Sequence, residues 1–421
     1  MSSVGEVPQT VAVSRTVSAW VTSGGDFLGV IGPFPVDIPW WAEVGPVVAQ
    51  VERALGVPVL VLRLLTVEGG EGARDGHVTY HVEARERPAP GALERRPVDQ
   101  GRLDTDDALR PPWARADGLR ELLAWAARTL AALGRPVTGP VEQRRTWNLA
   151  GLFRLPTARG PVWLKATPRF ATDEASAIAA FARVDAGLVP TVLASGERRM
   201  LLEHLPGEDC WSADAATAEA GVRRFTAAQA ALAARGEGPP PGLRDRRDRV
   251  LGEKVRELLD GIAELDITRQ ERAAARRLTD RWEQLPDCGL PDTLVHADFH
   301  PGNWRSDGGP PVVVDFADAH WGNPVLDCLR LYDFLPEAAR PAAVRAWIDS
   351  WKTHVPASDP ARVLALAEPL AHLAYAVRYQ EFLDGIEASE RPYHEGDPAA
   401  VVRRALRCAA HPVLGSLEVT G

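Results

Sequence analysis

Lysine is nearly missing from this chain: among 421 residues only Lys165, Lys254 and Lys352 occur, and the rest of the Lys and Arg total is arginine. None of the three follows the G-x-x-x-x-G pattern of a phosphate loop, which excludes a P-loop nucleotide site. Cysteine is scarce too. Cys210, Cys288, Cys328 and Cys408 stand far apart with no C-x-x-C pair, which argues against a zinc knuckle or a dense disulfide framework and for a reducing compartment. No apolar run approaches the roughly 20 residues that span a bilayer. The opening MSSVGEVPQTVAVSRTV has no basic segment followed by an apolar one. A cytoplasmic chain, with neither membrane insertion nor secretion, is the expectation. Excess positive charge is also absent: 48 basic against 57 acidic residues leave a formal charge of -9, so neither nucleic acid nor an anionic membrane is expected as a partner.

What is present describes an ordinary folded protein, with 45% hydrophobic and 25% charged residues. At roughly one domain per 100 to 200 residues, two or three folded units are expected. Strand-like pieces at 16–21, 27–31, 57–65 and 77–84 surround one helix-like stretch at 41–55, which reads as a small α/β unit over residues 1–90. The Pro- and Arg-rich run at 85–112 reads as a surface linker, and the leucine spacing of 117–133 as a connecting helix, so that residues 91–140 join two parts. Strands at 149–155, 161–166 and 199–204, with a helix at 173–184, give a β-β-α-β order inside residues 141–205. Residues 206–421 read as mainly helical, at 213–234, 246–263, 269–284, 339–353, 361–385 and 399–409, interrupted by short strands at 293–296 and 311–315.

The segment LVHADFHPGNW at 294–304, followed by VVVDF at 312–316, carries the chemistry. Asp298 and Asn303 form D-x-x-x-x-N, and Asp315 ends an apolar strand twelve residues later. Phosphoryl transfer asks for an oriented nucleophile and for neutralised triphosphate charge. Asp298 suits acceptance of a hydroxyl proton, while Asn303 and Asp315 offer the hard oxygen ligands that magnesium prefers. Upstream, Lys165 ends the strand VWLK and Glu174 lies in the first turn of the next helix, the arrangement in which a helix glutamate fixes a phosphate-holding lysine.

On His296-Ala-Asp298-Phe-His300-Pro-Gly-Asn303, Asp315, Lys165, Glu174 and Asp327, the chain resembles the aminoglycoside phosphotransferase and choline kinase-like family over roughly residues 141–410. The resemblance implies an α+β, two-lobed protein-kinase-like fold, with a small β-rich N-lobe and a helical C-lobe, preceded here by the small α/β N-terminal domain of unknown role. It implies ATP in the cleft at a hinge near Glu203, His204 and Leu205, Mg2+ at Asn303 and Asp315, Asp298 as catalytic base, and acceptor contacts from the late helices. Ala297 replaces the arginine that protein kinases carry before the catalytic aspartate, and residues 316–340 hold no long activation segment. A small-molecule hydroxyl acceptor (an amino sugar, an aminoglycoside-like compound, a sugar or an amino alcohol) is therefore expected ahead of a Ser or Thr on a peptide, or of a non-catalytic nucleotide-binding module. No G-x-G-x-x-G precedes Lys165, which leaves phosphate covering to an irregular turn around 146–153.

Several residues have two readings. His296, Asp298 and His300 also spell a transition-metal set. His296 otherwise packs under the loop, and His300 either nears the γ-phosphate or serves the loop. Asp327 fits loop support or a helix cap, and Glu174 a solvated first turn. Trp211 is a candidate for lining a ligand cleft. Asp349 and Glu381, both on late helices, are candidates for meeting a cationic acceptor or simple solvated positions.

Overall fold

Val47, Val51 and Leu55 recur at four-residue spacing and bury one stripe of helix α1, Gly45–Leu55. Pro46 suits its first turn, and Gly56 ends it in the left-handed region at φ 71°, where its N–H returns to Glu52 O at 2.8 Å. The stripe faces a sheet of β1 (Arg15–Ser23), β2 (Asp26–Val36), β3 (Val59–Glu68) and β4 (His77–Ala84) in the order β2-β1-β4-β3. β1 and β4 run parallel at its centre, and both flanking pairs are antiparallel. Each fully buried Val or Leu of this core stabilises by about 1.5–3 kcal/mol.

The computed structural model describes residues 15–104, 107–261 and 265–414. The N-terminal stretch read for targeting signals lies almost wholly outside these, as does the expected helix end at 262–263. The chain divides into two compact units: Met1–Ala166 with Ile386–His394, and Thr167–Gly385 with Glu395–Gly421. The division thus falls inside the stretch read as one N-lobe, and a short late segment returns to the first unit.

The first unit continues with the short α2 (Gly101–Asp104) and with α3 (Ala116–Ala132), whose Leu119, Leu122, Ala126 and Leu130 are buried. An antiparallel meander follows, of β5 (Glu142–Trp147), β6 (Ala150–Leu155) and β7 (Val162–Ala166). The turn expected to be irregular around 146–153 is a tight hairpin, with Trp147 paired to Ala150. The stretch read as a surface linker is tied down: Glu94 bridges Val30, and Leu103 is buried. β3, the sheet edge, is closed by side chains. Gln143 Oε1 accepts from Val61 N at 2.8 Å, its Nε2 donates to Val61 O at 2.7 Å, and Glu390 Oε1 accepts from Leu64 N at 2.9 Å. Such pairing satisfies groups that an edge leaves bare.

The second unit opens with α4 (Glu174–Ala182), capped by Asp173, and the hairpin β8 (Val192–Gly196) and β9 (Arg199–Glu203). Then come β10 (Glu208–Asp209), α5 (Ala215–Ala234), β11 (Arg244–Arg246), α6 (Asp248–Gly261) and α7 (Arg269–Leu278). Thr268 and Glu271 form a capping box on α7, and the expected single helix to Gln284 becomes a 3-10 turn after Leu278. Where two short strands were expected, the unit builds β12 (Thr293–Val295), β13 (Trp304–Ser306), β14 (Val312–Val313) and β15 (His320–Gly322), which with β10 and β11 form two three-stranded sheets. α8 (Val325–Phe334), α9 (Arg340–His354), α10 (Pro360–Gly385) and α11 (Asp397–Ala410) complete it. One apolar core runs through this unit and carries the loops between β12 and β15.

Candidate active site

β12 ends at Val295, and the chain enters the loop through His296 and Ala297 with Ala297 at φ 70°. A left-handed L-residue costs about 1–3 kcal/mol and persists only where its surroundings fix it. Here both its peptide groups are held. Ala297 N donates to Asp327 Oδ1 at 2.8 Å, and Tyr375 Oη donates to Ala297 O at 2.5 Å. Asp327 Oδ2 also accepts from His296 N at 2.9 Å and from Gln229 Nε2 at 2.8 Å. Asp327, in the first turn of α8, is therefore the buried anchor of the loop.

His296 is fully buried and its tautomer follows from its partners. Nδ1 accepts from Asp298 N at 3.1 Å, so the proton sits on Nε2, 3.0 Å from Val314 O. Burial pushes its pKa down, which keeps it neutral. It ties the loop to the strand before Asp315. Phe299 stacks on Phe225 of α5 with ring centres 4.2 Å apart, beneath the loop.

Asp298 projects from this frame. Its Oδ1 takes Arg330 Nε at 2.8 Å and Nη2 at 2.7 Å, while Oδ2 lies 3.1 Å from Asn303 Nδ2 and 3.3 Å from His300 Nε2. His300 Nδ1 accepts from Gly302 N at 3.1 Å, which places its proton on Nε2, facing Asp298. Burial alone would raise the Asp298 carboxyl, but the Arg330 guanidinium and His300 hold it well below the usual carboxylate range. It is an ionised acceptor at neutral pH.

Asn303 Nδ2 donates to Asp298 O at 2.9 Å as well as to Asp298 Oδ2, with His300 Nε2 3.3 Å away. Its amide oxygen is left for another role. Asp315, at φ 68°, follows Val314, whose N donates to Asn303 O at 2.8 Å. It precedes Phe316, whose N donates to Glu174 Oε1 at 3.0 Å. Glu174 is buried rather than solvated, and it holds the backbone beside Asp315. Among the described residues no group of three or more His, Cys, Asp or Glu gathers as a metal cage. Magnesium asks for less, one or two hard oxygen ligands alongside phosphate oxygens, and Asn303 with Asp315 fits that donor set.

The other expected positions are spread along the chain. Lys165 is the penultimate residue of β7 in the first unit and is buried, opposite Leu152 in the sheet register. Glu203 ends β9, with its N donating to Thr191 O at 2.9 Å, and His204 and Leu205 follow it, partly exposed. Trp211 is 48% exposed and stacks on His300, ring centres 5.0 Å apart and planes 19° apart. Asp349 and Glu381 do not act as a pair: Asp349 is exposed beside Arg223, while Glu381 is engaged by Arg246, Arg244 and Arg378. Of the two readings held for them, the solvated helix position suits Asp349, whereas Glu381 is already surrounded by guanidiniums and is not open to a cationic acceptor.

Arg330 was not legible as a site residue. It lies one turn after Asp327 on α8, a spacing that places both on one helix face, and it lies over Phe334 and Tyr375 at 4.4 and 4.5 Å.

A family model described as "Phosphotransferase enzyme family" matches residues 153–366, half of the chain. The chain belongs to this family. It is an α+β phosphotransferase of the small-molecule kind that acts on a hydroxyl acceptor, and family membership implies use of ATP. Among solved structures this phosphotransferase is similar to a macrolide 2'-phosphotransferase from Brachybacterium faecium (20% identity, 65% of this chain and 98% of that one, TM-score 0.44). It is also similar to a choline/ethanolamine kinase family protein from Mesorhizobium loti (16%, 68% and 98%, TM-score 0.48) and to a choline kinase from Streptococcus pneumoniae (13%, 68% and 99%, TM-score 0.47). No curated protein matches the chain. No helix among the described residues of the phosphotransferase is long and apolar enough to cross a membrane.

Proposed function

We propose that this phosphotransferase moves the γ-phosphoryl group of ATP, with magnesium, to one hydroxyl of a small polyol or amino alcohol, with Asp298 as its base. The observation that carries the reading is the gathering of Asp298, Asn303 and Asp315 around one pinned loop, with Asp298 Oδ1 taken by Arg330 and Oδ2 turned to Asn303 and His300. In this reading the acceptor hydroxyl gives its proton to Asp298 Oδ2 as its oxygen bonds to phosphorus and the bond to ADP breaks. Strong basicity is not required. The transition state is loose, so aim and charge placement matter more than proton affinity.

Asn303 and Asp315 would hold the metal, Lys165 the phosphates, and Glu203, His204 and Leu205 the adenine. Magnesium ATP, when bound, supplies the electrophilic phosphorus and neutralises charge on the leaving diphosphate. His296 and Asp327 hold the loop without touching substrate. The assignment of residues 141–205 to the nucleotide side and 206–421 to the catalytic side belongs to the same proposal.

The test is Asp298→Asn, read by mass spectrometry as gain of one phosphoryl group across a panel of small hydroxyl compounds, with nucleotide binding measured in parallel. Loss of transfer with nucleotide binding kept is expected; retained turnover would remove Asp298 from its role.

A further inference from the structure

Strand alternation sends Arg244 and Arg246 of β11 to one face, while Asp245 between them pairs with Arg247 on the other. β11 runs parallel to β15, with Arg244 opposite His320 and Arg246 opposite Gly322. Arg244, Arg246 and His320 line a cavity of about 40 Å³ that is also walled by Arg378 of α10 and by Ala297, the residue immediately before Asp298. One water needs roughly 10–15 Å³ by the same kind of measure, so the recess has room for about three waters, enough for one small anionic group and a neighbouring hydroxyl rather than a whole acceptor.

Three guanidiniums and two carboxylates meet here. Arg378 Nε donates to Asp318 Oδ1 at 2.7 Å, and Arg378 Nη1 lies 3.4 Å from Glu381. Glu381 also takes Arg246, whereas Arg244 reaches it only at 3.8 Å. Positive charge is left over. The Arg246 side chain is 8% exposed, yet its Nη1 is buried without a hydrogen-bond partner. His320 repeats the pattern. Its Nδ1 faces Asp318 O at 3.3 Å and must carry the proton there, which leaves the buried, unpartnered Nε2 as a lone pair. Burial and the neighbouring Arg246 push the His320 pKa down to about 3, so it adds no charge. A buried donor without a partner costs about 1–3 kcal/mol, more when charged, and an oxyanion in the recess would offset that cost.

We propose that this recess binds an anionic group, a carboxylate or phosphate, carried by the acceptor beside a hydroxyl that donates to His320 Nε2. The proposal rests on the phosphotransferase reading and narrows it, from the amino-bearing acceptors to polyhydroxylated acids. Ala297 links the two sites: its carbonyl is held by Tyr375, it lines the recess, and the next residue is Asp298.

The test uses the full chain and calorimetric titration at constant ionic strength with D-gluconate, D-glucose 6-phosphate, D-glucose and D-glucosamine. One or both anions should bind at least about tenfold more tightly than glucose and glucosamine, and Arg246→Gln should remove that preference. Arg244→Gln, at a residue 25% exposed with one long ion pair, keeps the test usable if Arg246→Gln fails to fold, and should weaken the anions alone. Which anion binds separates carboxylate from phosphate. Equal or tighter binding of glucosamine, anion binding untouched by either variant, or no anion binding overturns the proposal. Nucleotide is absent from these titrations, so they stand apart from the Asp298→Asn transfer assay, whose failure would count against the phosphotransferase reading instead.

Discussion

Arg330 grips the Asp298 carboxylate through two nitrogens, at 2.8 and 2.7 Å, both on Oδ1. One oxygen of the proposed base is thereby fixed while the other points to Asn303 and His300. This contact also offsets the burial that would otherwise raise the Asp298 pKa. The sign is that of a depressed acid: Asp298 stays ionised as pH falls through the ordinary carboxylate range. Arg330→Ala should lower the turnover of ATP, with water or an acceptor, by about 100-fold. It should also bring an acidic limb of the rate profile up to about pH 4 or above. Arg330→Lys should recover part of the rate. An acidic limb that stays put in Arg330→Ala would mean that Arg330 does not set the ionisation of Asp298.

Asp327 is a different kind of carboxylate, since it is buried and accepts three N–H donors from the loop and α5. Burial pushes its pKa up to about 7 while those donors pull the other way. Asp327→Ala strands three buried donors at about 1–3 kcal/mol each. It should lower the unfolding midpoint and release Ala297 from its left-handed conformation. Asp327→Asn turns an amide nitrogen toward one of the donors and should cost about 1–3 kcal/mol. Denaturant unfolding of both variants checks the order, and Asp327→Asn as damaging as Asp327→Ala would contradict it.

Much of this was legible because the information was local. The sequence Asp298 to Asn303, the strand before Asp315 and the first turn at Glu174 are short-range patterns, and periodicity located most of the longer elements. What stayed hidden depends on partners far along the chain. β5, EQRRTW, is too polar to read as a strand, and it holds its place because Gln143 bonds to Val61. The segment 386–394 returns to the first unit, where Tyr393 meets Trp41 and Trp147 and Glu387 pairs with Arg63 and Arg110. No periodicity signals such a return. Glu381 shows the reverse error, since its acidic character was legible but the three arginines around it were not.

That returning segment carries a pH dependence of its own. Glu390 Oε1 accepts from Leu64 N, while its Oε2 is buried with no partner. Burial, with Glu387 nearby, raises its pKa from 4.5 to about 8. A raised acid contributes stability that is fully present below its unfolded pKa and lost as pH rises through its folded one. From about pH 4.5 to 8, Glu390 should therefore remove up to about 1.4 kcal/mol of stability per pH unit. Glu390→Gln keeps the acceptor for Leu64 and cannot ionise. Its unfolding midpoint relative to the unaltered chain should climb steadily between pH 5 and pH 8; a constant difference across that range would show that Glu390 is not protonated in the fold.

Trp211 and Gly302 offer a test of how the loop meets its acceptor. The indole stacks on His300 and leaves no room at Gly302, where an added Cβ would lie 2.9 Å from His300 Cε1 as well as inside the indole. Gly302→Ala should therefore push the ring or His300 out of place and reduce turnover by about tenfold. Trp211→Ala removes the obstruction, and because the ring is half exposed it should cost less than about 1 kcal/mol of stability. In the double variant the two effects should not add, since both act through one contact. If Trp211 lines the acceptor side, Trp211→Ala raises the KM for acceptor about tenfold and leaves that for nucleotide unchanged. If it only orients His300, turnover falls while both KM values hold. Full additivity of the two substitutions would show that neither acts through the stack.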